Sequence, residues 1–222
     1  MPRLITIAQQ KGGAGKTTVA AHIAVSLAQT GRRTAIIDID PQASLAHWYN
    51  LREQKFGVGY TGLKFINSSG WRIESAVRNL EDEFDYVIID APPHTDTESK
   101  SAIRISELII IPMQASPTDL WATTKTLSFA KGENKMAKIL LNRFNPLSKI
   151  SKNIAAEINN NEVLKSYLGS RVAFSSCFLD GTTVNESFPS SEAAREIRQL
   201  TTEILALVEN KISAKEHKLE NA

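Results

Sequence analysis

The stretch 9-QQKGGAGKTTVA-20 decides how the chain is read. Gly12, Gly13 and Gly15 crowd one short turn and are followed at once by Lys16 and Thr17. Glycine lets main-chain N–H groups approach an anion closely and wrap it. In that setting Lys16 reaches the β- and γ-phosphates of a nucleotide, and the Thr17 hydroxyl binds Mg²⁺. A helix opening at this point aims its positive end at the same anion. The spacing matches GxxxxGK[ST], except that Gln10 takes the place of the first glycine. A second lysine, Lys11, lies outside this minimal cradle and needs an explanation of its own.

Outward from the loop, short apolar runs recur: 3–8, 33–40, 63–67, 84–91, 107–113, 137–142 and 171–176. They are continuous rather than alternating, as strands buried on both faces of a parallel sheet are. Longer stretches between them read as helices. This predicts an α/β fold, a doubly wound and mostly parallel sheet with helices on both faces. The first helix should end near Gly31. The last should begin near 190-SSEAAREI-197 and carry Ile197, Leu200, Ile204, Val208 and Ile212 on one face. Gly57, Gly59 and Gly62 mark a loop before the third strand. One nucleotide-binding domain over 1–213 is expected, with 214–222 as a frayed tail.

Two acidic sites complete the predicted centre. Asp90 ends the apolar run 84-FDYVIIDA-91 at the sheet edge that faces the ligand crevice, where a carboxylate helps hold Mg²⁺. Asp38 and Asp40, in 36-IIDIDPQ-42, are two apart on an extended segment and are expected to point the same way. One could be structural and the other could orient the water that attacks the γ-phosphate.

Bulk properties exclude several classes. The chain is 42% hydrophobic and 23% charged, with a net charge of +2, so global charge does not announce a nucleic-acid binder. The single cysteine, Cys177, forms no internal disulfide and reads as a small core residue in a cytoplasmic protein. The N-terminal apolar run is too short for a signal peptide, and no window reaches the about 18 apolar residues of a membrane span.

Taken together, 11-KGGAGKTT-18, 38-DIDPQ-42 and 87-VIIDAPP-93 resemble the ParA/MinD group of ATPases, whose altered phosphate loop carries an extra lysine. The segments 107-ELIIIPMQASPTDLWAT-123 and 141-LNR-143 are similar to those of small plasmid-partition ParA proteins. The resemblance spans nearly the whole chain. It implies that Lys11 crosses a homodimer interface to the partner's ATP, while Lys16 serves its own. It implies nucleotide contacts from Lys11, Gly12, Gly13, Ala14, Gly15, Lys16, Thr17 and Thr18, with Asn142 and Arg143 near the adenine. Lys11 and Asp40 become the catalytic pair, and Thr17, Asp40 and Asp90 the Mg²⁺ set. Residues 91–99 become a loop that senses the γ-phosphate. Ala14 departs from the valine frequent in the family.

The same resemblance implies non-specific binding of double-stranded DNA, a ParB-like partner protein and a cytoplasmic, nucleoid-associated protein, and the tail's composition leads us to expect no membrane association. Charge supports the DNA reading locally. Residues 125–171 hold nine basic and three acidic side chains, a net +6 against −4 for the rest. Lys149, Lys152, Lys165 and Arg171 are the candidate contacts. Positioning of a protein cargo, such as a chemoreceptor cluster or a microcompartment, is the nearest alternative. A MinD-like membrane switch needs an apolar, basic terminal helix, and the tail after Ile212 offers only Leu219 as a large apolar residue. An iron–sulfur reductase needs more cysteines, a related tyrosine kinase needs a tyrosine-rich tail, and a metabolic ligase needs an inserted substrate segment.

Overall fold

The computed structural model describes residues 1–93 and 97–220, with side chains through residue 209. Six strands form one sheet: β1 (Arg3–Ile7), β2 (Thr34–Asp38), β3 (Lys64–Asn67), β4 (Tyr86–Asp90), β5 (Leu108–Met113) and β6 (Met136–Leu141). Their order is β3-β2-β4-β1-β5-β6, and every pairing is parallel. The helices are α1 (Lys16–Gln29), α2 (Ser44–Phe56), α3 (Ile73–Arg78), α4 (Thr97–Ile105), α5 (Pro117–Gly132), α6 (Lys149–Ala156), α7 (Val172–Leu179), α8 (Val184–Ser187) and α9 (Glu192–Glu220).

The continuous apolar runs follow from two-sided burial. Ile5, Ile7, Ile36, Ile88 and Ile110 face a layer built from α1, α2 and α7–α9. Their neighbours Leu4, Ile37, Val87, Ile89 and Ile111 face the layer of α3–α6. Successive strand residues point to opposite faces, so a strand covered on both sides must be apolar at every position.

α1 ends at Gln29, and Gly31 follows with a left-handed backbone, as expected. α9 buries Ile197, Leu200, Ile204 and Val208 completely. Each such side chain contributes about 1.5–3 kcal/mol, so this stripe anchors the helix. Ile212 and the 214–222 tail fall on side chains outside the described residues.

One predicted strand is wrong. Residues 171–176 do not extend the sheet, because 172–179 form α7. The outer edge of β6 is already taken by the segment 162–168, through Ile139 N to Glu162 O at 2.7 Å and Leu168 N to Leu141 O at 2.9 Å. With no edge to join, the segment buries Phe174 and Cys177, three apart, against the α1 layer. That is helical spacing.

Candidate nucleotide site

β1 is central, and the loop that leaves it lies where the C-terminal ends of β4 and β5 flank it. Gln9 fixes the start of the loop. Buried, it donates Nε2 to Pro112 O at 3.2 Å and to Thr123 Oγ1 at 2.8 Å, and its Oε1 accepts from Gln10 N. Gly13 and Gly15 then adopt φ of 75° and 90°. Gly15 is the N-cap of α1 and offers no side chain to the first-turn N–H groups, which leaves them for an anion.

Lys16 is buried at 7% exposure in the first turn of α1. Burial lowers its pKa, and the carboxylates of Asp90 and Asp40 oppose that shift. Asp90 is 1% exposed, and neither carboxylate oxygen has a well-formed hydrogen bond, although the Thr17 hydroxyl lies beside it. Burial pushes its carboxyl upward to about 8. An unpartnered buried carboxylate is costly, and a cation at this point relieves the cost. The donor set of Thr17 hydroxyl and Asp90 carboxylate is all oxygen and suits Mg²⁺.

The two aspartates after β2 separate. β2 ends at Asp38, which is fully buried. Its oxygens accept from Asp40 N at 2.9 Å and Ala46 N at 3.1 Å, so it shapes the turn into α2. Asp40 lies beyond the strand, is partly exposed, and accepts from Gln42 N at 2.9 Å. It lines a cavity of about 390 Å³ with Asn67, Ser68, Arg72 and Glu98. Both stand near Asp90 and add to the rise that burial gives its pKa, but they differ in partners: the turn engages Asp38, and Asp40 is left beside the cavity.

Lys11 reaches away from the cradle. Its Nζ meets Asp119 Oδ2 at 2.6 Å and Thr118 Oγ1 at 3.2 Å, at the start of α5. Asp119 is almost fully buried and also accepts from the Ser116 hydroxyl. This anchor sits inside 107-ELIIIPMQASPTDLWAT-123, where no role for Asp119 was legible. Gln114, in the same stretch, donates Nε2 to Gly13 O at 3.1 Å and was likewise unforeseen.

Thr18, Asn142 and Arg143 meet around a cavity of about 250 Å³ beside Gly15, also lined by His22, Leu168 and Phe174. The Asn142 amide donates to Ala14 O at 2.8 Å, while its Oδ1 accepts from Arg143 N at 3.0 Å. Gly12 and Ala14 complete the loop, Ala14 buried and Gly12 exposed. Three of the residues in the loop predicted to sense the γ-phosphate, 94–96, lie outside the described residues.

The basic residues are less uniform than their count. Lys149, Lys152 and Lys165 are exposed. Arg171 is exposed too, and forks onto the buried Glu196 with contacts of 2.7 and 3.1 Å. Lys131 pairs with Glu162, and Lys138 donates to the Asn161 carbonyl.

A family model of the CobQ/CobB/MinD/ParA nucleotide binding domain matches residues 5–184. The chain is 28% identical over 213 residues to the maintenance of carboxysome distribution protein A of Halothiobacillus neapolitanus, covering 90% of this chain and 95% of that one. It is 26% identical over 242 residues to the chromosome-partitioning ATPase Soj of Thermus thermophilus, covering 93% and 97%. The fold matches a putative plasmid partition protein from Borrelia burgdorferi bound to AMPPNP, with TM-score 0.77, 21% identity and coverage of 95% and 100%. A cradle built on the central strand and a match that runs from β1 to α8 agree: the chain belongs to the CobQ/CobB/MinD/ParA nucleotide-binding family.

Proposed function

We propose that this chain is a Mg²⁺-dependent ATPase of the ParA kind, which dimerises on ATP, binds duplex DNA without sequence preference and positions a cargo through a partner protein. The observation that carries the reading is the pair of lysines in different settings. Lys16 is buried in the cradle, and Lys11 is held outside it by Asp119.

In this reading the loop N–H groups and Lys16 bind the nucleotide's own phosphates and stabilise charge on the γ-phosphoryl group. Thr17 and Asp90 would hold Mg²⁺, with Asp40 beside them. When bound, the ion supplies charge neutralisation across the β- and γ-phosphates. Asp40, whose carboxylate is bonded to Gln42 N in the turn before α2, accepts a proton from the attacking water and orients it. Lys11 exchanges Asp119 for the partner subunit's phosphates, which makes ATP part of the interface. ADP lacks the γ-phosphate, so hydrolysis loosens the dimer as a population shift. A ParB-like partner stimulates turnover.

The cargo follows one of two models. Soj, the Thermus relative, is named for chromosome partitioning, and the Halothiobacillus relative for carboxysome distribution. The likeness to the latter makes a protein cargo the second reading. No helix among the described residues is long and apolar enough to cross a membrane.

The decisive experiment combines light scattering and phosphate release with ATP, ADP and Mg²⁺. ATP-specific dimerisation with slow Mg²⁺-dependent turnover supports the reading. A monomer in both nucleotides, or turnover indifferent to Mg²⁺, overturns it.

A further inference from the structure

Gly13 and Gly15 are left-handed and Ala14 between them is not. Alternation of this kind turns successive N–H groups toward one concave side and the carbonyls toward the other. Two consecutive outward carbonyls are gripped by side-chain amides. Gln114 Nε2 donates to Gly13 O at 3.1 Å, and Asn142 Nδ2 donates to Ala14 O at 2.8 Å. Each peptide unit is planar and trans, so fixing a carbonyl also aims the N–H that follows it. Holding Gly13 O aims Ala14 N–H, and holding Ala14 O aims Gly15 N–H.

The two donors hang from the sheet. Gln114 follows β5 and Asn142 follows β6, whose last residues Met113 and Leu141 are in register. Asn142 N also donates to Met113 O at 2.8 Å. The fit around Asn142 is close, since a Cβ on Gly15 would stand 2.5 Å from its Nδ2. We propose that Gln114 and Asn142 are positioning residues whose amides form a clamp on the phosphate cradle, setting its N–H groups before a nucleotide arrives. Neither needs to touch the phosphates. The proposal rests on the nucleotide-binding reading and gives Asn142 a task that involves no base. Preformed donors spare the ligand the cost of ordering the loop.

The test uses Gln114→Met and Asn142→Leu, neutral replacements of similar shape, in the full chain. Calorimetric titration with ADP and with inorganic tripolyphosphate is combined with nucleotide-free melting and ³¹P NMR of bound ADP. Each variant should bind both ligands about 3- to 10-fold more weakly, the amount one hydrogen bond contributes. The β-phosphate resonance should move toward that of free ADP, and Gln114→Met should melt like the parent. Should Asn142→Leu not fold, Gln114→Met decides alone. Unchanged affinity in Gln114→Met overturns the clamp, as does a loss of affinity matched by a loss of nucleotide-free stability. If Asn142→Leu weakens ADP but not tripolyphosphate, Asn142 serves the base and not the loop. A parent chain that binds neither ligand overturns the nucleotide reading itself, a different result from a variant indistinguishable from a binding parent.

Discussion

At the scale of single residues, two lysines five positions apart have unrelated surroundings. Lys16 is desolvated in the cradle, while the Lys11 side chain is 41% exposed and held by Asp119. Lys11→Ala should therefore keep ATP binding but lose ATP-dependent dimerisation and most hydrolysis, at least about 10²-fold. Light scattering with ATP and Mg²⁺ checks this, and a variant that dimerises like the parent removes the cross-subunit role. Asp40→Ala should bind ATP and accumulate as dimer while turnover falls about 10²- to 10⁴-fold. Phosphate release at the parental rate would move the catalytic role elsewhere. Gly15→Ala combines a φ of 90° with a clash at Asn142 and should cost about 1–3 kcal/mol with loss of nucleotide binding. Denaturant melts and ADP titration measure both effects. The choice between Asp38 and Asp40 was not legible in the spacing. Asp38 is engaged by Asp40 N and, once α2 is in place, by Ala46 N, which makes Asp40 the proposed catalytic carboxylate.

At the scale of elements, α1 and α7 meet through His22 and Phe174, whose rings pack edge to face at 5.2 Å. His22 Nδ1 is bonded to Thr18 O, and its Nε2 is buried without a partner. Burial pushes the imidazole down from 6.5 to about 4, while the Thr18 carbonyl and Glu186 pull the other way. The unfolded chain therefore binds this proton more readily between those values. The contribution of His22 is fully present above about pH 6.5 and is lost as pH falls toward 4, by up to about 3 kcal/mol. Urea denaturation of parent and His22→Gln across this range checks it, since the variant should lack that component. Arg52 makes a second tie between elements. It is 4% exposed, pairs with Glu186 at 2.7 Å and donates to Thr61 O, joining α2 to α8 and to the loop before β3. Glu186→Ala leaves that guanidinium buried and unpaired and should cost about 3–5 kcal/mol in equilibrium unfolding.

At the scale of the molecule, a near-neutral chain presents exposed lysines on α6 and another, Lys165, beside α9. Lys149, Lys152, Lys165 and Arg171 are all exposed, and Arg171 is also paired with Glu196. A dimer places two such sets of cations on one body, so the second engages at high effective concentration. DNA binding should therefore require ATP, ignore sequence and fall with salt at a log–log slope of about −0.9 per phosphate contacted. Lys149→Glu with Lys152→Glu should weaken binding and flatten that slope while ATP-dependent dimerisation persists. Gel-shift titrations at several salt concentrations, with ATP and with ADP, measure this. Equal binding in both nucleotide states would sink the coupling of DNA to the ATP switch.

The fold and the cradle were written locally. Buried parallel strands must be apolar at every position, and an anion-wrapping turn must have its glycines, lysine and hydroxyl within a few residues, so both leave a pattern in consecutive letters. What tertiary structure decided depends on groups far apart in the chain. Residues 172–179 became α7 because residues 162–168 had already covered the edge of β6. Arg171 found its partner in Glu196, which α9 sets beside it 25 positions later. Lys11 found Asp119, and Gly13 found Gln114, across separations of 108 and 101 residues. Such pairs are chosen by where the sheet delivers its strand ends, and no local spacing encodes that.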